Sequence, residues 1–379
     1  MFPIPVRAGR SDLIYLDYAA TTPTDARVIE AMTRCMETAW HNPSAAYSAS
    51  GAARRALREA RIAVAALLNA APQEVVFTSG GTEANNQAVA LARGGHAVVS
   101  AIEHASVLNA ARALCREVTL VRPDADGRVS ARAVADALRP DTRLISVQLV
   151  NNETGVVQPA AEIGALARAR RIPFHCDAVQ AFGHIPVDAR PLNADLLSLS
   201  GHKLYGPRGV GALYVRQGVA PPPLLCGGGQ ELGLRSGTEN LPAIVGLGVA
   251  ASLAGEAMDA RARRERGLME GFIEEMRQRA PACRLLGADA PRVPGIAALL
   301  TPGLSSEAAV ARLDLMGIQV SGGAACAARE RAVSHVYRAM GLSETDAACV
   351  LRVSIGKDTT RDDLRAAAQA IAGMMESAT

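Results

Sequence analysis

Ser198-Leu199-Ser200-Gly201-His202-Lys203-Leu204-Tyr205-Gly206-Pro207 places one lysine where an apolar run, residues 194–199, ends in a turn of serine, glycine and histidine. Most lysines lie on polar helix faces with solvated ammonium groups. A lysine where a strand runs out into such a turn has its amine partly withdrawn from water, the environment a Schiff-base lysine requires. The same ten residues also suit a surface lysine after a buried strand, and read alone they favour neither.

Outward from Lys203, strands and helices alternate. Strands are predicted over residues 74–78, 97–101, 144–150, 173–176, 195–199 and 211–215, with helices from 82, over 106–114 and over 160–171. This alternation predicts an α/β fold, a mostly parallel sheet covered by helices on both faces. Ligands of such sheets collect outside the carboxyl ends of the strands, where the motifs below lie. A Pro/Gly-rich stretch, 220–229, interrupts the pattern. A long helix is expected from about Pro242 toward Arg279, with Gly255 a candidate break. From Pro281 a smaller α+β unit is expected, its last helix starting at Thr359-Thr360 with Asp362 and Asp363 in the first turn.

Three motifs accompany the lysine. Thr78-Ser79-Gly80-Gly81-Thr82-Glu83-Ala84-Asn85 follows a strand and opens a helix. Its glycines let backbone N–H groups approach an anion, and the helix N-terminus adds partial positive charge. It is neither a Walker A loop nor G-x-G-x-x-G, so a single phosphate suits it better than a triphosphate or dinucleotide. An ordinary strand-to-helix turn reads the same way. Phe174-His175-Cys176-Asp177-Ala178-Val179-Gln180 puts a carboxylate just beyond a buried strand, with Gln180 one turn on. A protonated pyridine nitrogen is a fitting partner for that carboxylate, though a helix-capping Asp has the same pattern. Ala101-Ile102-Glu103-His104-Ala105-Ser106 sets an imidazole after another strand, where it either stacks on a ring and shuttles protons or simply closes the strand. Together the four signals fall in the chain order of a pyridoxal phosphate enzyme.

With 379 residues the chain suits two domains. Hydrophobic residues make up 49%, largely alanine, and no apolar run reads as long enough to span a bilayer. Met1-Phe2-Pro3-Ile4-Pro5-Val6-Arg7 has no basic region followed by an apolar core, so a cytoplasmic protein is expected. The net charge of +3 is small, and the basic run at 261–266 reads as a solvated helix face, which disfavours DNA binding. The seven cysteines are scattered, without a C-x-x-C pair, which disfavours disulfides and structural zinc.

The chain resembles the cysteine desulfurases of the NifS/IscS-like family, within the class V aminotransferase group. The resemblance covers nearly the whole length. It rests on Tyr15-Leu16-Asp17-Tyr18-Ala19-Ala20-Thr21-Thr22-Pro23, His41-Asn42-Pro43-Ser44, Val150-Asn151-Asn152-Glu153-Thr154-Gly155 and the lysine segment. Gly227-Gly228-Gly229-Gln230-Glu231, Leu234-Arg235-Ser236-Gly237-Thr238 and Val350-Leu351-Arg352-Val353-Ser354-Ile355-Gly356 complete it. It implies a fold type I pyridoxal phosphate enzyme: a large cofactor-binding domain, 15–255, with a mostly parallel seven-stranded sheet, and a small α+β domain, 1–14 and 256–379. It also implies roles. Lys203 would carry pyridoxal 5′-phosphate as a Schiff base and later move protons. His104 would stack over its ring, Asp177 pair with the ring nitrogen and Gln180 with the phenolic oxygen. Gly81, Thr82, Ser200 and His202 would hold the phosphate, and Thr238 would reach the phosphate of the neighbouring subunit in a homodimer. Asn152 would lie near cofactor and substrate, and Arg352 would grip the substrate carboxylate.

In Val320-Ser321-Gly322-Gly323-Ala324-Ala325-Cys326-Ala327-Ala328, small residues surround a cysteine, as an accessible thiol requires. The resemblance makes Cys326 the nucleophile that takes sulfur from L-cysteine as a persulfide, releasing L-alanine, for delivery to a sulfur-acceptor protein. No resident metal is implied; Cys326 is the residue that would ligate an iron–sulfur cluster in transit. Gly81 stands where alanine is frequent, Ala324 where serine is frequent and Cys176 where valine is usual. The sequence ends at Thr379, soon after its last helix, where members that dock an iron–sulfur scaffold usually carry a longer tail. Two kinds of alternative stand beside this reading: a selenocysteine lyase or aminotransferase on the same fold, and a non-catalytic scaffold subunit.

Overall fold

The computed structural model describes residues 13–323 and 333–377. In chain order the elements are β1 (Ile14–Tyr15), α1 (Ala26–Thr38), α2 (Gly51–Leu67), β2 (Val75–Thr78), α3 (Gly81–Val89), β3 (His96–Ser100), α4 (Ala105–Leu114) and β4 (Glu117–Val121). There follow α5 (Ala131–Asp136), β5 (Thr142–Ser146), α6 (Ala160–Arg170), β6 (Phe174–Asp177), β7 (Leu196–Ser200), β8 (Gly211–Val215) and α7 (Leu241–Arg279). The rest is β9 (Arg284–Leu285), β10 (Ile296–Leu300), α8 (Ser306–Leu315), β11 (Ile318–Gln319), α9 (His335–Ala339), α10 (Glu344–Ala347), β12 (Val350–Ser354) and α11 (Arg361–Glu376).

The expected α/β architecture is present. A seven-stranded sheet runs in the order β2-β8-β7-β6-β5-β3-β4. β8 lies antiparallel to both its neighbours and the other pairs are parallel. Strands β2, β3, β6, β7 and β8 are buried throughout, which is why each reads as a continuous apolar run rather than an alternation. β2, β3, β5, β6 and β7 all point one way, so their carboxyl ends share one edge. β5 ends at Ser146 rather than Val150; residues 147–150 leave the sheet toward that edge.

A second, antiparallel sheet has the order β12-β10-β9, and β1 pairs in parallel with β11. Its apolar residues form a separate core, where Leu16 from the start of the chain joins Met269, Phe272 and Met276 of α7 and Leu364 and Ile371 of α11. α11 begins where expected, with a capping box between Thr360 and Asp363.

The helix α7 starts about where expected but departs from expectation at Gly255 and in its apolar length. It passes through Gly255 unbroken, and Asn240 caps it by accepting from Ala243 N. Its glycines serve contact: a Cβ on Gly248 would sit 2.6 Å from Ala60 Cα on α2. α7 is also long and apolar enough to cross a bilayer by length and composition, contrary to the reading of the sequence alone; 56% of that stretch is buried inside the fold. Its apolar half packs on α1 and α2, so core packing accounts for its composition.

Candidate active site

Residues from five strand ends converge on a cavity of about 280 Å³. Gly81 and Thr82 open α3 after β2, and His104 caps α4 after β3. Asp177 ends β6, Gln180 follows it, and Ser200, His202 and Lys203 end β7 and form the turn beyond. Asn152 enters from the loop after β5 and Arg352 from β12 of the second sheet. All ten of these line the same cavity. Thr238 does not; it is exposed on the loop before α7. Cys326 lies outside the described residues.

Lys203 Nζ donates to the main-chain oxygens of Ala19 and Ala20, at 2.6 and 2.7 Å. Gln180 Nε2 donates to the same Ala19 oxygen at 2.8 Å. The Ala19-Ala20 turn is itself held by Ser354, whose hydroxyl accepts from Ala19 N. Asp177 combines both readings of its motif. Oδ1 accepts from Val179 N, as a capping Asp does, while Oδ2 accepts from Asn85 Nδ2 at 2.7 Å.

His104 Nδ1 accepts from Ser106 N at 3.1 Å, which places the proton of the neutral ring on Nε2. Burial lowers its pKa, Lys203 and His335 add to the fall, and Asp177 opposes it. His202 Nδ1 lies 3.0 Å from Thr21 Oγ1, and burial, with Lys203 and Arg208 nearby, pushes its pKa down to about 4. It is a neutral donor or acceptor at neutral pH. Arg352 is almost fully buried; Nη2 donates to Asp17 Oδ1 at 2.6 Å and Nη1 to the Asn152 oxygen at 2.9 Å.

Pyridoxal phosphate fits this donor set. A Cβ on Gly81 would meet Val179 Cγ2 at 2.8 Å, so glycine keeps the wall of the cavity at the start of α3 bare of side chain. The hydroxyls of Thr82 and Ser200 and the imidazole of His202 face the same cavity. Asn85 Oδ1 and Arg352 Nε are buried without a hydrogen-bond partner among the described residues, which leaves polar capacity in the wall for a ligand. Asp177 would hold a ring nitrogen, Lys203 the aldehyde carbon, and Gly81, Thr82, Ser200 and His202 the phosphate.

Several contributors were named in motifs without a role. Asn85 and Ser106 brace Asp177 and His104, and Asp17 anchors Arg352. Glu103 is fully buried behind His104; burial, and then the charge of Asp177, raise its pKa well above the usual carboxylate range. It accepts from Gln148 N at 2.6 Å. The sequence signal for each was proximity to a named residue; the pairing needed the fold.

The family model described as Aminotransferase class-V matches residues 14–366. The chain is 42% identical over 376 residues to the putative cysteine desulfurase IscS 1 of Bacillus subtilis, covering 97% of this chain and 99% of that one. It is 44% identical over 363 residues to the cysteine desulfurase IscS of Anaeromyxobacter dehalogenans, covering 93% and 89%. A NifS-like protein from Rickettsia africae superposes with a TM-score of 0.89 at 31% identity, over 96% of this chain and 99% of that one. SspA, solved in complex with cysteine, superposes at 0.79 with 37% identity, over 90% and 98%. With the lysine turn, the Asp177 carboxylate and the buried arginine on one cavity, the chain belongs to the class V aminotransferase family, in its NifS/IscS-like cysteine desulfurase branch.

Proposed function

We propose that the protein is a pyridoxal phosphate-dependent cysteine desulfurase. It converts L-cysteine to L-alanine and holds the sulfur as a persulfide on Cys326 for transfer to an acceptor protein serving iron–sulfur cluster, thio-cofactor or tRNA thiolation chemistry. The observation that carries the reading is the convergence of Lys203, Asp177, His104 and Arg352 on one cavity. The cofactor, when bound, supplies an electron sink for charge left on the substrate carbon. Arg352 binds the substrate carboxylate, its guanidinium already oriented by Asp17 and the Asn152 oxygen. Lys203 Nζ moves a proton at the substrate α-carbon. His104, neutral and carrying its proton on Nε2, exchanges protons with the substrate. Cys326 as thiolate attacks the substrate sulfur: an S–S bond forms, the substrate C–S bond breaks, and the carbon takes up a proton to become alanine.

The working unit in this reading is a cytoplasmic homodimer in which Thr238 of each protomer serves the cofactor phosphate of its partner. The exposure of Thr238, away from its own cavity, supports that assignment. A large cofactor-binding domain, 15–255, and a small domain, 1–14 and 256–379, complete the proposal, supported by the separate apolar core around α11.

The test is quantitation of alanine and sulfide from L-cysteine plus a thiol reductant. Equal yields, lost in Cys326→Ala, support desulfuration through Cys326. Coloured, cofactor-loaded protein without cysteine turnover overturns the substrate and points to selenocysteine or another small amino acid.

A further inference from the structure

Leu204 and Tyr205, the residues after Lys203, line a second cavity of about 250 Å³, distinct from the one that Lys203 lines. Its floor is apolar, built from Leu204, Ala250, Leu253, Ala254 and Ala257. Its rim carries four cations, Arg27, Arg261, Arg264 and Lys357, and one carboxylate, Asp25.

On the rim itself cations outnumber carboxylates four to one, with Glu256 acting on Arg27 from nearby. Asp25 already serves two of the cations, at 3.0 Å from Arg27 Nε and 2.6 Å from Lys357 Nζ. Arg264 donates to the main-chain oxygens of Gly356 and Thr359, which are neutral. Arg261 donates to the Gly183 oxygen, and the carboxyl nearest it, Glu265 at 3.9 Å, is buried with its pKa pushed up to about 7. Cations clustered over a low-dielectric floor focus positive potential into the cleft.

We propose that this cleft is a second binding site, for a small organic anion: a phosphate or carboxylate held by Arg27, Arg264 and Lys357, with its apolar body against α7.

The cleft shares a wall with the lysine turn. Lys357 N donates to Tyr205 Oη at 2.8 Å, and its ammonium lies 5.0 Å from the Tyr205 ring centre. Asp25 N donates to the Tyr205 oxygen at 3.0 Å. Tyr205 itself sits at φ 63°, a left-handed conformation that these contacts hold in place. An anion that draws Lys357 or Arg27 from Asp25 therefore acts on the turn that ends in Lys203, so the site suits a metabolite that modulates the enzyme from behind its cofactor pocket.

The experiment uses the full-length protein saturated with pyridoxal phosphate, so that the cofactor's own phosphate site is filled. Phenyl phosphate, benzoate and inorganic phosphate are titrated calorimetrically at constant ionic strength. Phenyl phosphate is expected to bind saturably, and more tightly than inorganic phosphate. Arg264→Gln should weaken it by roughly tenfold, as for one charge-assisted hydrogen bond. Ala257→Phe, on an exposed helix position, should abolish binding by filling the cleft while keeping every charge. Benzoate binding with the same dependence on both variants identifies a carboxylate ligand, and phenyl phosphate alone a phosphate. No saturable binding of either, equal affinity for inorganic and phenyl phosphate, or binding indifferent to both variants overturns the proposal.

Discussion

Asp17 Oδ1 accepts a 2.6 Å hydrogen bond from Arg352 Nη2, so the guanidinium assigned to the substrate is already held by a carboxylate of the protein. The Asp17 side chain is 19% exposed and that of Arg352 only 2%, which makes the pair largely desolvated. Removing one partner of such a pair strands the other. Asp17→Ala is expected to lower the unfolding free energy by about 3 kcal/mol in urea titration, and Asp17→Asn, which keeps an acceptor, by clearly less. Equal stability of wild type and Asp17→Ala would show that the pair contributes nothing net.

Arg352→Ala should act on substrate binding. If the substrate carboxylate loses its buried partner, the apparent affinity for L-cysteine falls by about thirtyfold or more, from roughly 2 kcal/mol upward. Steady-state KM for cysteine reads this directly; an unchanged KM rules out the carboxylate role.

Lys203→Ala should abolish turnover and the covalent attachment of the cofactor. After borohydride reduction and denaturation, wild-type chain is expected to retain pyridoxyl label and the variant none. Label on the variant would move the Schiff base to another lysine.

Asn85 braces Asp177 Oδ2 from inside the sheet edge. Asn85→Ala should weaken cofactor binding by roughly tenfold, the worth of one hydrogen bond to a charged group. Equilibrium dialysis against pyridoxal phosphate measures it, and unaltered affinity would make Asn85 a purely structural residue.

Two buried histidines should cost the fold stability in mild acid, above the ordinary carboxylate range. Burial pushes His175 and His184 down from an ordinary 6.5 to about 4. His175 is locked between Ser146 Oγ and Ser198 Oγ, and His184 Nε2 lies 2.8 Å from the Lys203 oxygen. Between pH 6.5 and 4 the unfolded chain binds these protons and the folded chain does not, so stability falls as pH drops through that window. The buried carboxyls Glu103 and Glu265, with raised pKa values, oppose this fall, so the check is the difference between proteins: the wild-type urea midpoint should lose more between pH 6.5 and 4 than that of His175→Gln. The same pH dependence in both proteins contradicts the burial argument for His175.

Much of this site was legible in the sequence because Lys203, Asp177 and His104 each stand at the end of a buried strand. Lys203, Asp177 and His104 each end a run whose apolar character marks the strand, and a parallel sheet then brings those ends to one edge. Arg352 announced itself only through family resemblance, since an arginine in Val350-Leu351-Arg352-Val353 reads locally as an interruption of a strand. Its contacts with Asp17 and Asn152 join segments far apart in the chain, and no local periodicity encodes such a pair. The edge strand β4 was missed because Glu117 and Thr119 interrupt its short apolar run. The expected break at Gly255 failed because packing on α1 and α2 outweighs the weak helix propensity of one glycine.

The hydrogen bonds Ala19–Ser354 and Asp17–Arg352 each close a loop of 335 residues. During synthesis the turn that receives the Lys203 ammonium is made 335 residues before the strand that steadies it. Contacts of such separation form late and slowly. A nascent chain therefore carries Lys203, Asp177 and His104 before the pocket has the wall that Arg352 supplies, and the cavity is completed only with the arrival of β12. Closure of this pocket is in that sense governed by the order in which its two walls are made.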